Sequence, residues 1–257
     1  MDLRSERPAA SPGVVLLGVG PGDPDLLTLA GYRALRAADA VAYPVASLTA
    51  SGMALTIVER FLESGQRQLP LVFPMVREAE PLRAAWLAAA NALAAEVAAG
   101  QRVVFLCEGD VSLFATGSYV LLALQKHHPE CPLQVIPGVS SVAAAAAAGA
   151  WPLAFQQEAL LIRPCPDRPD DLLALLEQAR QQAMVLALLK LGHRWLWVQP
   201  LLEQQGLLAE ALFAERVGWP DQHVITADAV SAQKRPYFSQ LLIRQRSQGV
   251  PSPPVLP

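Results

Sequence analysis

Three short stretches concentrate the residues that could do chemistry. "VVLLGVGPGDPDLLTL" (14–29) runs four apolar residues into Gly18, Gly20 and Gly22, and then Asp23. "VVFLCEGDVSLFATGS" (103–118) ends an apolar run in Glu108-Gly109-Asp110, and "VIPGVSS" (135–141) ends another in Pro137-Gly138 ahead of Ser140 and Ser141. Glycine turns between a strand and a helix usually cradle a phosphate on free backbone N–H groups. The first stretch does not suit that chemistry. Its G-x-G-x-G spacing puts Asp23 where the dinucleotide fingerprint needs its third glycine, Pro21 stiffens the turn, and no Gly-Lys-Ser/Thr follows. An acid at the start of a helix adds negative charge and takes up the free N–H groups. Two readings remain: a tight turn with no ligand, or a turn that lets a ligand with hydroxyls or positive charge approach the backbone. Three such turns favour the ligand, because successive strand ends in a parallel sheet share one edge and ligands bind there.

The elements that must position these turns alternate along the chain. Strands are expected at Val14–Leu17, Ala40–Tyr43, Gln68–Val72, Arg102–Cys107 and Leu133–Ile136. Helices are expected at Leu26–Ala38, opened by Asp23 with Pro24 or by Thr28, at Ser51–Glu63, at Glu80–Ala99 ended by Gly100, and at Leu113–Lys126. An Ala-rich helix starts at Ser140 or Ser141. Such alternation predicts an α/β domain with a mostly parallel sheet. The pattern resets after "GAWPLAF". Strands then fall at Ala159–Ile162, Met184–Leu189, Ala211–Glu215, His223–Ala227 and Phe238–Ile243, with helices at Asp170–Gln182 and Arg194–Gln205. The late strands predict a mixed second sheet. A boundary is expected near 149–156, giving α/β domains at 13–150 and 156–246, with disordered tails at 1–12 and 247–257.

Composition narrows the function classes. The chain has 257 residues, 53% apolar and 17% charged, with net charge −3. That is enough length for one or two real cores. Its apolar runs are broken well before the ~18 residues a membrane span needs, so no membrane association is expected. The opening residues carry charge and proline without an apolar core segment, so no secretory signal is expected and the cytoplasm is the expected compartment. Basic residues are scattered, which gives no sign of nucleic-acid binding. Cys107, Cys131 and Cys165 are too far apart for a zinc site or a disulfide framework, and His127 and His128 are adjacent, so no metal site is expected.

The motifs together resemble one family. "GVGPGDPDLLTLAGYRALRAADAVAYP" looks like the opening of the tetrapyrrole (precorrin) methyltransferases. "EGDVSLFATGS" is similar to their second motif and "VIPGVSSVAAAAAAGAWPLA" to their third, so the resemblance spans about 13–245. "AYPVA", "LLKLG" and "FAERVG…PYFS" look most like the branch that methylates precorrin-2 at C20, on the route to cobalamin. The resemblance implies two α/β domains with S-adenosylmethionine in the cleft between them, a tetrapyrrole substrate and a homodimer. Cobalt-bearing precorrin-2 is the alternative substrate. A non-catalytic tetrapyrrole-binding protein is the alternative from another class, and the intact glycine turns argue against it.

Carried over motif by motif, the cofactor contacts fall on Glu108, Asp110 and Leu113, then on Ser140 and Ser141. In the second domain they fall on Leu189, Leu212, Pro236 and Tyr237. Two positions depart from the family pattern: Val111 stands where proline is usual, and Leu189 where methionine is. The substrate side falls on Gly20, Pro21, Gly22, Asp23 and Tyr43. Because the implied substrate carries many carboxylates, Lys190, Arg194 and Arg216 are candidate clamps. Each has a plainer alternative. Asp110 could cap the Leu113–Lys126 helix, Ser140 and Ser141 could cap theirs, Asp23 could cap its own, Tyr43 could simply end a strand, and a loop lysine is normally just solvated. An electron-rich ring carbon needs no activated Ser, Cys or Lys, and none is visible. A carboxylate such as Asp23 or Glu108, or a water, could take the departing proton.

Overall fold

The computed structural model describes residues 11–76 and 78–245. The tails expected at 1–12 and 247–257 lie outside the described residues, apart from Ser11 and Pro12. The chain divides into two compact units, with the division between Ser140 and Ser141.

The first unit carries strands β1 (Gly13–Gly18), β2 (Ala40–Val45), β3 (Arg67–Val72), β4 (Arg102–Cys107) and β5 (Leu133–Ile136) in the order β3-β2-β4-β1-β5. All the pairings are parallel, from β1–β4 and β1–β5 to β2–β3 and β2–β4. The strands therefore all end on one edge, and β1 lies between β4 and β5. Helices α1 (Leu29–Ala37), α2 (Met53–Val58), α3 (Ala79–Ala98) and α4 (Thr116–His127) connect them. Leu16, Val103, Phe105 and Leu93 are buried in its core.

Helix starts differ from expectation where the glycine turns need room. Both proposed caps of the first helix exist. Asp23 caps a separate 3₁₀ turn, Pro24–Leu26, and Thr28 caps α1 by accepting from Gly31 N at 3.0 Å. The Ser51–Glu63 helix stops at Val58 and continues as a 3₁₀ turn, Glu59–Phe61. The expected Leu113–Lys126 helix begins only at Thr116, because 110–115 stay in a turn with Phe114 at φ 54°.

The second unit opens with α5 (Ser141–Ala148) and carries β6 (Ala159–Pro164), β7 (Met184–Leu189), β8 (Ala211–Glu215), β9 (His223–Thr226) and β10 (Ser239–Ile243), with α6 (Pro169–Gln181) and α7 (Trp195–Gln204). Its sheet order is β6-β7-β10-β8-β9. Only β6 and β7 pair in parallel; β10 runs antiparallel to both of its neighbours, β7 and β8, and β9 antiparallel to β8. The mixed sheet predicted from the late strands is present. Leu186, Leu188, Leu241, Trp195 and Phe213 fill its core, with the Trp195 and Phe213 rings 4.9 Å apart.

The division falls earlier than the expected 149–156, and contacts within the second unit explain why. Ser141 on α5 donates its hydroxyl to Gln240 Oε1 (3.2 Å) and accepts from Gln240 Nε2 on its carbonyl (2.7 Å). Arg244, just past β10, bonds both Glu158 oxygens and the Pro152 carbonyl, and its guanidinium lies 4.5 Å from the Trp151 ring centre and 4.6 Å from that of Phe155. The segment around the expected boundary is thus clamped into the second unit.

Candidate active site

In the first unit the three glycine turns are neighbours built almost wholly of backbone. Val19 N donates to Cys107 O (2.9 Å). Gly20 and Gly109 exchange N–H···O bonds of 3.2 and 2.7 Å, with Gly20 at φ 85°. A Cβ on Gly138 would stand 2.1 Å from Gly109 O, and one on Gly18 would stand 2.5 Å from Gly138 N, so no other residue fits at either position without moving main chain. Gly109 is different. It sits at φ 66°, and a Cβ there would meet nothing within 4 Å, so the side of its Cα away from Gly20 and Gly138 is open.

Asp110 holds these turns together. Its Oδ2 accepts from Gly138 N at 2.8 Å, tying the second turn to the third, and its Oδ1 accepts from the N–H (2.9 Å) and the hydroxyl of Ser112. Burial works to raise its pKa, but the bonds from the Ser112 hydroxyl, Gly138 N–H and Ser112 N–H outweigh it and hold the carboxyl below its usual range. The capping alternative for Asp110 is therefore corrected: α4 starts after Ala115 with no side-chain cap, and Asp110 serves the turn. Val111, in the position where the family has proline, is 1% exposed and packs into the core, while its carbonyl accepts from Ser118 Oγ at 2.7 Å. Leu113 follows in the same turn, its N–H on Asp110 O at 3.4 Å.

Glu108, the adjacent acid, is half-buried and has no hydrogen-bond or ion-pair partner among the described residues. Burial pushes its carboxyl above the usual range. Neighbouring Cys107 is buried beneath Gly117, and its thiol is pushed up to about 12, chiefly by burial. Burial also drives Cys165, in the second unit, to about 12. Thiols held protonated in this way are poor nucleophiles.

The substrate-side residues of the first unit are only partly gathered. Gly20, Pro21 and Gly22 form the first turn, and Asp23 Oδ1 accepts from Asp25 N at 2.8 Å. Tyr43 lies inside β2 and is 8% exposed; its ring packs on Gly52 and its hydroxyl reaches Gln68 Oε1 at 3.4 Å. It shows little surface to a ligand.

In the second unit β7 and β8 are parallel to each other through β10, so their ends and the start of β10 lie on one edge. Register puts Leu189 opposite Gln240 and Leu212 opposite Leu242, so with the two-residue period of a strand both leucines share the face on which Gln240 holds Ser141. Ser140 immediately precedes α5. The Pro236–Ser239 approach to β10 is gripped from both sides. Leu191 N donates to Ser239 O (3.0 Å), Gly192 N to Ser239 Oγ (3.1 Å) and Arg216 N to Phe238 O (2.8 Å). The residues after β7 and β8, Lys190 and Arg216, have φ of 60° and 48°, a left-handed conformation that non-glycine residues rarely adopt.

The three clamp candidates are not equivalent. Arg194 donates to Asp167 Oδ1 (2.9 Å) and to Lys190 O (3.1 Å). Arg216 donates to Asp221 Oδ1 (2.7 Å) and lies 5.1 Å from the Trp219 ring centre. The Lys190 ammonium lies 5.6 Å from the Tyr237 ring centre, with no carboxylate partner among the described residues. Two features escaped sequence reasoning. Ser239 and Gln240 are buried polar residues that organise the edge, signalled only by a polar pair opening an apolar run. Among the described residues, Glu215 Oε2 and Arg235 Nε are buried without hydrogen-bond partners, and no sequence signal marks them. Among the described residues, no three His, Cys, Asp or Glu side chains are grouped to hold a metal ion.

Comparison with known proteins gives a consistent picture. The family model for tetrapyrrole (corrin/porphyrin) methylases matches residues 13–232. The cobalt-precorrin-2 C(20)-methyltransferase of Salmonella typhimurium is 34% identical over 90% of this chain and 95% of its own length. The precorrin-2 C(20)-methyltransferase of a Sinorhizobium species is 32% identical over 88% of this chain and 93% of its own. Among solved structures, the uroporphyrin-III C-methyltransferase of Thermus thermophilus, complexed with S-adenosyl homocysteine, superimposes with a TM-score of 0.59 at 23% identity, covering 90% of this chain and 92% of that one.

Proposed function

This chain belongs to the tetrapyrrole (corrin/porphyrin) methylase family, and on that premise we propose that it transfers a methyl group from S-adenosylmethionine to C20 of precorrin-2 in cobalamin biosynthesis. The observation that carries the reading is near-full-length similarity to relatives named for that reaction. The slightly higher identity to the relative named for the cobalt-bearing substrate keeps cobalt-precorrin-2 as the second reading.

The residues suit the cofactor. Gly109 leaves the side of its Cα where a Cβ would stand open to close approach, and the Glu108 carboxyl, without a partner among the described residues, can accept hydrogen bonds from hydroxyls or an ammonium. We assign cofactor binding to Glu108, Asp110, Leu113 and Ser140 in the first unit, and to Ser141, Leu189, Leu212, Pro236 and Tyr237 in the second. S-adenosylmethionine, when bound, supplies an electrophilic methyl on a positively charged sulfur that becomes a neutral thioether once the methyl has gone. The chain needs to hold the ring carbon at near-attack distance, which can lower a barrier by several kcal/mol, and to accept the C20 proton. Glu108 suits the proton-accepting role, since its raised pKa brings its basicity closer to neutral, where general bases work best.

Homodimerisation and a cytoplasmic location belong to the same proposal. On the first unit Trp86 and Tyr119 stack at 4.2 Å, while Tyr119, Leu122 and Leu87 are 49%, 61% and 37% exposed. An apolar surface of this kind suits contact with a second copy. No described helix is long and apolar enough to cross a membrane. A monomer by light scattering at micromolar concentration would remove the dimer. The function is tested by turnover of precorrin-2 and cobalt-precorrin-2 side by side with isotope-labelled methyl donor. Label at C20 of either product supports the reaction, and the faster substrate decides the metal question. Label at another carbon, or in neither product, rejects it.

A further inference from the structure

Residues 150–157, between α5 and β6, are held to the second unit chiefly by side chains. Among the described residues, the main chain of Pro152, Leu153 and Ala154 makes one hydrogen bond, which the Pro152 carbonyl accepts from Arg244 Nη2 at 2.8 Å. Trp151, Leu153 and Phe155 are half-buried, while Pro152, Ala154, Gln156 and Gln157 are exposed. The Arg244 guanidinium lies 4.5 Å from the Trp151 ring centre and 4.6 Å from that of Phe155. Its Nε donates to Glu158 Oε1 at 3.0 Å, and its Nη2 to Glu158 Oε2 at 3.1 Å. Glu158 Oε2 also accepts from Phe155 N at 2.8 Å. Ala150 and Gln156 bound the segment at φ 47° and 40°, a backbone conformation that L side chains disfavour. Two strained ends and a sparsely bonded middle are thus held by one guanidinium that reaches Trp151, Pro152, Phe155 and Glu158 at once.

We propose that residues 151–157 form a strap that opens and closes while the sheet of the second unit stays folded, and that Arg244 is its lock. Few main-chain bonds and low burial mark the parts of a protein that open locally. Strain at Ala150 and Gln156 is released on opening, so it works against closure. The charge-assisted bonds to Glu158 and the two ring faces oppose it. The lock stands on firm ground: Arg244 directly follows β10, whose five residues are all buried between β7 and β8. The elements on either side of the strap have anchors of their own. Ser141 at the start of α5 is held by Gln240, Gly149 just past its end packs on Leu212, and β6 pairs with β7. An open strap would therefore leave α5 and β6 in place and present Leu153 and Phe155 to solvent and to proteases. The proposal is independent of the methyltransferase reading.

Hydrogen exchange and limited proteolysis of the full chain test this without a ligand. The reporters are the amides of Trp151 and Glu158, bonded to Ala146 O and Phe155 O, compared with the amides of β7 and β8. In the wild type both reporters should exchange faster than the strands. Arg244→Met keeps most of the stem and removes the charge. It should speed reporter exchange, and chymotryptic cutting after Leu153 or Phe155, about tenfold to hundredfold, as loss of charge-assisted hydrogen bonds predicts. Exchange in β7 and β8 should stay unchanged. Arg244→Lys, which keeps the charge without the planar fork, should fall between. Glu158→Gln, which keeps both ring contacts, should speed opening less than Arg244→Met. Reporters that exchange together with β7 and β8 in the wild type overturn the strap. Reporters unchanged in Arg244→Met, or strands that speed up along with them, overturn the lock. Should that variant fail to fold, Glu158→Gln decides by the same two readings.

Discussion

The two strand-end edges solve the same problem with opposite materials. On the first unit, Gly18, Gly20, Gly109 and Gly138 bring main chain against main chain so closely that two of them admit no Cβ. On the second, the corresponding turns are made by Lys190 and Arg216, full-sized residues in a conformation that glycine would adopt more cheaply. The first edge is therefore set by shape and offers backbone. The second accepts local strain in order to keep charged side chains where the strands end, the kind of strain that collects at functional sites. A ligand's invariant part suits the first material, and its variable, charged periphery suits the second.

Four measurements break or sharpen that contrast. The largest effect is expected from Gly138→Ala, whose Cβ would lie 2.1 Å from Gly109 O. Thermal unfolding should show a loss above ~4 kcal/mol. Gly109→Ala, with open space around it, should lose only the ~1–2 kcal/mol of a left-handed residue. Equal losses would mean the close packing is not what fixes this edge.

Next comes Glu108→Gln, for which kcat should fall about a hundredfold, within the range of general-base catalysis. Stability should move the other way. Because the folded pKa is raised, the acid's contribution is intact below its ordinary 4.5 and is lost as pH rises through the folded value. The variant should therefore melt higher than the wild type at neutral pH, and the gap should close toward pH 4. A variant that melts lower at neutral pH would mean that the carboxylate has a partner.

Asp110→Ala should cost about 1–2 kcal/mol, from its charge-assisted bonds at a half-exposed turn, and should weaken S-adenosylhomocysteine binding about tenfold. Here the folded pKa is lowered, so the stabilisation is present above the ordinary 3.8 and is lost as pH falls through the folded value. The stability difference between wild type and variant should fade in acid. Unchanged cofactor affinity alongside lowered stability would leave Asp110 a purely structural tie.

The smallest effect separates Arg216→Gly from Arg216→Ala. Both lose the Asp221 pair, so the pair cancels in the comparison. Glycine should be the more stable by about 1 kcal/mol because it alone relaxes at φ 48°. If alanine is as stable, the backbone there is not strained and the contrast between the edges weakens.

How much of this could be read in advance follows the range of the interactions. Arg102–Cys107, Leu133–Ile136, Met184–Leu189 and Ala211–Glu215 begin and end as expected, because each is an apolar run closed by turn-forming or charged residues. The glycine turns were legible as neighbours once a parallel sheet was inferred. The late start of α4 was not, since Asp110 is turned aside by a bond to Gly138, far along the chain. Nor could local pattern reveal that Arg244 returns to grip Trp151–Glu158, or that two of three apparently equivalent cations are already paired. Side chains committed to distant partners leave no mark in their own neighbourhood.

The place of β10 in the second sheet has a consequence for how the protein is made. It is the last of the ten described strands to be synthesised, yet it lies in the middle, with β7 on one side and β8 on the other. On the ribosome, β6 with β7 and β8 with β9 can exist only as two detached halves, their inner edges bare, until Ser239–Ile243 emerges to join them. The first unit has all its strands by Ile136 and can fold earlier, in the N-to-C order usual for growing chains. Because the Pro236–Tyr237 segment is fixed only when β10 is seated, a chain cut short before that strand would carry a finished first unit and no second edge. Emergence of Ser239–Ile243 and completion of that edge are therefore a single event, and the bare halves are the interval in which a nascent chain is most exposed to aggregation.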